Sequence, residues 1–282
     1  MRLDAYMAKY WPEYSRTVWQ QYIEMGLVQV NEACVTSVRY ELGEDDVVTV
    51  MTLPVADFAG QTLPVVYEDD HVVVINKPSG VLSHAKGAIT SEFSVAEFVR
   101  PRMTEADDGN RPGIVHRLDR ATSGVMICAK DSETKRSLQK QFQDRKAHKK
   151  YLAIVDGVPK HLEAKIDLPI ERNPKIPSTF RVGAQGKSAQ TIYRVLAHND
   201  KYSVIELQPL TGRTHQLRVH LAHIGTPIVG DELYGGSKSP INRLCLHASS
   251  LEITIPTSQR RTFEADPPED LANFVAEVGH EI

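Results

Sequence analysis

Residues 113–130 read GIVHRLDRATSGVMICAK, and the order of textures within them points to the fold. A short apolar segment gives way to a polar, highly charged stretch, which passes into an apolar run with the composition of a buried strand. Asp119 therefore falls on a loop beside a sheet, where a rigid scaffold often presents binding and catalytic side chains. Arg117 and Arg120 flank it, and opposite charge favours the ionised carboxylate. That state suits a nucleophile or a base and does not suit a general acid. A structural Asp–Arg ion pair would have the same spacing, so spacing alone leaves both roles open.

On either side, strand and helix signals interleave. The stretch VVYEDDHVVVINKPSG gives a buried strand over Val72–Ile75, ending at Lys77-Pro78 and a turn. DSETKRSLQKQFQDRK reads as a helix capped by Asp131, with Leu138 and Phe142 on one face. KYLAIVDG is a strand, and AQTIYRVL and YSVIELQPL are two adjacent strands joined by a turn at Asn199-Asp200. THQLRVHLAHIG places Leu217, Leu221 and Ile224 at helical spacing and stops at Gly225. LCLHASSLEITI supplies a last strand. This mixture predicts an α+β domain on a mixed, largely antiparallel sheet.

The front of the chain has a different texture. Ser15 opens a helix running to Met25, with Gly26 at its left-handed stop. LVQV, a turn at Asn31-Glu32, ACVTS and GEDDVVTV complete a small α/β unit. The expected organisation is a module at 1–52, a linker at 53–63 bracketed by Pro54 and Pro64, and a large domain at 64–282.

Charge and cysteine content narrow the classes. The net charge of −3 decides nothing alone, but Lys135, Arg136, Lys140, Arg145, Lys146, Lys149 and Lys150 crowd one stretch whose only acid is Asp144. Such a run serves either as a solvated helix face or as a local contact for nucleic acid. Cys34, Cys128 and Cys245 are odd in number and widely spaced, as expected of reduced thiols in the cytoplasm rather than of disulfides or a zinc knuckle. The N-terminus lacks the apolar core of a signal peptide, and no apolar run is long enough to span a bilayer. His215, His220 and His223 lack the spacing of metal ligands on one helix face and have no carboxylate among them, so no metal is expected. Ser123 lacks the glycine-flanked elbow of a serine hydrolase; with His116 and Thr122 it is expected to brace the loop. Nothing in the sequence demands more than a monomer.

HRLDRATSG resembles the catalytic motif of the RluA-type pseudouridine synthases, and three further stretches match that family in order. INKPSG is similar to its first motif, KKYLAIVDG to its tyrosine-bearing strand, and GRTHQLRVHLAHIGTPIVGDELYG to its third motif. The first fifty residues resemble the RNA-binding module named after ribosomal small-subunit protein S-four, through Arg2-Leu3-Asp4, Ser15-Arg16 and IEMGLVQVN. They depart from it at Glu32, where glycine is usual, and at Asp45-Asp46, where the module usually has Gly-Asp before its last strand.

The combination resembles the RluC and RluD branch, which modifies large-subunit ribosomal RNA. It implies a catalytic domain with a cleft and isomerisation of uridine to pseudouridine in structured RNA. The N1–C1′ bond breaks, the base rotates, and C5 joins C1′, with no cofactor or metal. Transfer RNA as substrate and a non-catalytic assembly factor are the alternatives; a glycosidase would need a second carboxylate, and the matching motifs offer only Asp231. By the same resemblance Asp119 is catalytic, attacking C1′ or C6, Tyr151 stacks on the uracil and assists removal of the C5 proton, and Arg213 pairs with the aspartate. Leu217 lines the pocket, Arg117 contacts the everted nucleotide or fills its place, Lys77 supports the site or touches phosphate, and Arg16 contacts RNA.

Overall fold

The structure, a computed structural model, describes residues 1–12, 14–51, 58, 60–85, 92–105, 111–257 and 259–280. Most of the expected linker, residues 53–57 and 59, lies outside them. The chain divides into two compact units: Met1–Ala59 with Ala85–Glu92, and Gly60–His84 with Phe93–Ile282.

In the first unit, helices α1 (Leu3–Tyr10) and α2 (Arg16–Glu24) precede strands β1 (Val28–Val30), β2 (Ala33–Cys34) and β3 (Val48–Val50), which form an antiparallel sheet in the order β2-β1-β3. Leu3, Met7, Trp19, Ile23 and Val28 fill its core. Ser15 is the N-cap residue of α2, but its side chain makes no capping bond. Gly26 follows the helix at φ 73°. The β1–β2 turn holds Asn31 at φ 50° and Glu32 at φ 69°, so Glu32 takes the left-handed conformation that glycine adopts without strain. Asn31 secures this turn by hydrogen bonds to the Asp46 carboxylate and the Val47 N–H.

The second unit carries β4 (Val65–Glu68), β5 (Val72–Lys77), α3 (Val95–Val99), β6 (Ser123–Ala129), α4 (Ser132–Gln143) and β7 (His148–Asp156). There follow β8 (Glu163–Asp167), β9 (Ile170–Arg172), β10 (Phe180–Val182), β11 (Gln190–His198), β12 (Tyr202–Pro209), α5 (Gln216–His223), β13 (Leu246–Thr254), β14 (Arg260–Glu264) and α6 (Glu269–His280). Nine strands make one sheet in the order β4-β5-β6-β13-β7-β12-β11-β8, with β14 also on β13; β9 and β10 pair separately. Every pairing in the large sheet is antiparallel except β6 with β13. The expected mixed, largely antiparallel sheet is therefore present. β6 is buried at all seven positions, which is why its sequence is an unbroken apolar run.

The β6–β13 seam is only two residue pairs long, His247↔Ser123 and Ala248↔Gly124. Beyond it a bulge between Ala248 and Ser250 shifts β13 against β7. The core is split accordingly. One cluster lies around β5, β6 and α4 (Ile75, Met126, Leu138), the other around β7, β12 and α5 (Ile154, Ile205, Leu221), and Tyr151 packs against both. No helix among the described residues is long and apolar enough to cross a membrane.

Candidate active site

The loop that carries Asp119 is clamped by the turn after β5. Ser83 Oγ donates to the Leu118 carbonyl at 2.8 Å and accepts the Leu118 N–H at 3.1 Å. The Gly80 N–H donates to the Arg120 carbonyl at 2.8 Å, Arg120 Nε returns a bond to the Gly80 carbonyl at 3.0 Å, and Ser79 Oγ donates to the Ala121 carbonyl at 2.8 Å. Lys77 lies beneath this clamp with no exposed surface. Its ammonium donates to the carbonyls of Pro78, Val81 and Arg120, one acceptor for each N–H of the charged form. Burial pushes its pKa down to about 7, against the pull of the Asp119 charge. The Thr122 N–H donates to the Asp119 carbonyl and closes the turn. His116 Nε2 accepts the Ile127 N–H, and its ring stacks on Phe142 at 4.5 Å. Burial, helped by the Lys149 charge, lowers its pKa to about 3 and keeps the ring neutral.

Opposite the loop, α5 begins at His215, which sits at φ 55°. Arg218, on the first turn, is held by Asp231: Nε and Nη2 donate to the two carboxylate oxygens at 2.6 and 2.7 Å, and Asp231 is 1% exposed. This fork leaves Nη1, which lies 3.5 Å from Asp119 Oδ2. Burial opposes the Arg218 charge, but the hydrogen bond and charge of Asp231 outweigh it and hold the guanidinium charged. Its Cζ lies 4.9 Å from the centre of the Tyr234 ring. The Tyr234 hydroxyl accepts the Phe180 N–H and is bonded to His215 Nδ1 at 2.7 Å. When the phenol donates its proton to Nδ1, a neutral His215 ring carries its own proton on Nε2. That nitrogen is 3.9 Å from Asp119 Oδ2. Burial lowers the His215 pKa although the Asp119 charge pulls the other way.

These groups line a cavity of about 490 Å³ whose walls come from the Asp119 loop, the end of α4, β7 and the segment entering α5, within the size range of small-ligand sites. Among the described residues of its lining, Asp119 is the one carboxylate, set among Arg117, Arg145, Lys149, Arg213 and Arg218. Tyr151, on β7 opposite Ala248 and Leu207, contributes an aromatic wall. Burial and the Asp119 charge raise its pKa, so the phenol is neutral at physiological pH.

The structure thus brings Asp119, Tyr151, Arg117, Leu217 and Arg213 to one cavity. It changes two expected contacts. Arg213 does not form the ion pair with Asp119; its Nε donates to the Ser188 carbonyl at 3.0 Å, because it precedes α5 while Arg218 lies on the helix beside Asp119. Lys77 cannot touch phosphate, since it is enclosed and its three N–H bonds go to backbone carbonyls. Arg16 is 50% exposed but forks onto the buried carboxylate of Asp4, which Arg2 and Gln20 also bond. His220 uses both ring nitrogens in bonds to Thr191 and Leu168. Among the described residues no group of three or more His, Cys, Asp or Glu could hold a metal ion. Arg218, His215 and Tyr234 were not picked out by spacing, because their pairing forms only when the segment after α5 folds back over it.

Residues 71–223 match the family model described as RNA pseudouridylate synthase, and residues 1–48 match the S4 domain. A Bacillus subtilis protein named as an uncharacterized RNA pseudouridine synthase, YlyB, is 36% identical across 97% of this chain and 93% of its own. The ribosomal large subunit pseudouridine synthase D of Xylella fastidiosa is 35% identical across 98% of this chain and 88% of its own. The Borreliella burgdorferi protein of the same name is 40% identical over 76% and 68%. Among solved structures, human RNA pseudouridylate synthase domain containing 4 superposes with a TM-score of 0.62 at 26% identity, covering 76% of this chain and 92% of its own. Its counterpart, domain containing 1, gives 0.61 at 30% identity, over 73% and 84%. With the family model spanning more than half its length, this chain belongs to the RNA pseudouridylate synthase family and is an RNA-modifying isomerase with an S4 domain at its front.

Proposed function

We propose that the chain isomerises uridine in large-subunit ribosomal RNA, in the cytoplasm, by drawing the nucleotide out of its stack and using Asp119 as the catalytic carboxylate. The observation that carries this reading is the cavity itself: one carboxylate among five cations, beside a neutral aromatic wall. The names of the D-type relatives support the choice of RNA.

Eversion of a nucleotide costs a few kcal/mol, and stacking of the uracil on Tyr151 returns about 1–3 kcal/mol. Arg117, exposed at the mouth beside Asp119, takes the place the base vacates or meets its phosphate. Arg218 and His215 hold the Asp119 carboxylate in position while the N1–C1′ bond breaks. The detached uracil turns within the pocket, C5 bonds to C1′, and the proton on C5 leaves. Attack of Asp119 at C1′ or at C6 uses the same placement. The protonated Tyr151 serves this sequence as a stacking platform, and any help it gives in removing the C5 proton follows rearrangement of the Asp119 charge. Arg213 and Leu217 complete the wall, and the S4 domain adds an RNA contact through Arg16 and Arg2.

The test is pseudouridine mapping of total RNA from cells lacking the gene, complemented with wild type or with Asp119→Asn. Wild type is expected to restore pseudouridine in large-subunit RNA, while Asp119→Asn restores none and still binds the RNA. Product from Asp119→Asn would remove the carboxylate from its role, and restoration confined to transfer RNA would overturn the target.

A further inference from the structure

The half-buried cations of the cavity are already satisfied, with one exception. Arg218 is forked onto Asp231, Arg213 Nε is bonded to the Ser188 carbonyl, and Lys77 beneath the loop is saturated by carbonyls. Lys150, the neighbour on the other face of β7, is paired with Glu206 at 3.1 Å. Arg117 and Arg145 are exposed and solvated. Lys149 is partly buried in the cavity wall, and among the described residues nothing accepts a hydrogen bond from its ammonium. Burial lowers its pKa, with no compensating anion. A partly desolvated cation without a protein partner is destabilising, and that cost is offset if an anionic partner arrives with the substrate.

Its position says which part of the substrate that is. Lys149 and Tyr151 are two apart on β7, so both face the cavity and stand roughly 7 Å apart along the strand. The Lys149 ammonium reaches across toward the segment entering α5, where a Cβ built on Gly212 would lie 3.8 Å from it. A uracil stacked on Tyr151 would place its own sugar–phosphate within reach of that ammonium. We infer that Lys149 binds the phosphate on the 5′ side of the everted uridine, so that β7 reads base and backbone of one nucleotide through alternate residues. The inference rests on the proposed function above.

The probe is a five-nucleotide RNA with a central uridine, and its copy in which a neutral methylphosphonate replaces the phosphate 5′ to that uridine. Both are bound to the full-length protein, and pseudouridine is counted in large-subunit ribosomal RNA incubated with the same preparation. Wild type is expected to bind the charged oligonucleotide about tenfold more tightly, the difference typical of one charge-assisted contact. Lys149→Arg keeps the gap. Lys149→Met, which follows the alkyl stem, closes it and melts at or above the wild-type temperature, since an unpaired, half-buried charge has been removed. A wild-type protein that binds both oligonucleotides equally, or a Lys149→Met variant that still discriminates, overturns the inference. Discrimination without product would support Lys149 and sink the isomerase role of this cavity; product without discrimination would do the reverse.

Discussion

Asp231 decides where Arg218 points, and through it where Asp119 is held. The fork takes two of the guanidinium's donors at 2.6 and 2.7 Å and leaves the third direction for Asp119 at 3.5 Å. The longer distance matters: the Asp119 carboxylate is oriented by a charge already neutralised elsewhere, so its oxygens stay available to a further partner. Asp231→Asn keeps the shape and one acceptor but removes the charge, leaving Arg218 buried and half-paired. Breaking a buried pair from one side costs about 3–5 kcal/mol, so urea unfolding should show a loss of that order. Below the unfolding transition kcat should fall more than tenfold with KM little changed, since Arg218 is then free to close on Asp119. Wild-type kcat in a folded Asp231→Asn protein would show that Arg218 needs no such restraint. His215 adds a second constraint, its backbone held at φ 55° at a cost of about 1–3 kcal/mol and its ring fixed by Tyr234.

At the level of elements, the Thr-Ser-Gly stretch that follows the Asp119 loop is a packing device. Gly124 sits at φ 120°, and a Cβ there would lie 2.2 Å from the Ala248 carbonyl oxygen. The two-pair seam between β6 and β13 exists because that position has no side chain. Gly124→Ala must therefore push the strands apart and disturb Ser123, which bonds His247 and Arg243 across the same seam. Gly80 provides the control. It has a positive φ of 89° and nothing within 4 Å of a built Cβ, so Gly80→Ala should cost only about 1–2 kcal/mol. Chemical denaturation should place Gly124→Ala at least 2 kcal/mol below it, the cost of overpacking added to that of the backbone; equal losses would mean the seam tolerates a methyl group.

The same contrast shows what could be read from sequence. α4 and α5 were legible because their caps and stops are local: Asp131 accepts the Thr134 N–H, and Gly225 takes φ 84° after α5. β6 and β7 announced themselves by apolar runs. β8, β9 and β10 are three to five residues long and carry too few positions to show a period. α6 buries Leu271, Phe274 and Val278 at helical spacing. In the site, Asp119, Tyr151 and Leu217 followed from long motifs, whereas the choice between Arg213 and Arg218 did not. Both are arginines of one short stretch, and only the fold of Asp231 and Tyr234 over α5 sets the second against Asp119. Lys77 was equally opaque, since a lysine after an apolar strand has the same sequence whether its ammonium meets water or three carbonyls.

For the molecule as a whole, a net charge of −3 gives no general attraction to a polyanion, so RNA affinity must come from local fields. The cationic cavity is one. The other is the exposed side of α4 and the turn after it, where Arg136, Lys140, Arg145 and Lys146 are all exposed. Arg145 holds a left-handed conformation at φ 59° and lines the cavity as well, so the stripe runs continuously into the site. If this face follows the RNA backbone, each phosphate it neutralises contributes about −0.7 to −0.9 to the slope of log affinity against log salt. Replacing Arg136, Lys140 and Lys146 together by glutamine should flatten that slope by about two units and weaken binding at low salt. Turnover of saturated enzyme should remain at the wild-type rate, because none of the three lines the cavity. A face that is merely solvated would leave the slope where it was, and the RNA path would then have to be sought on another surface.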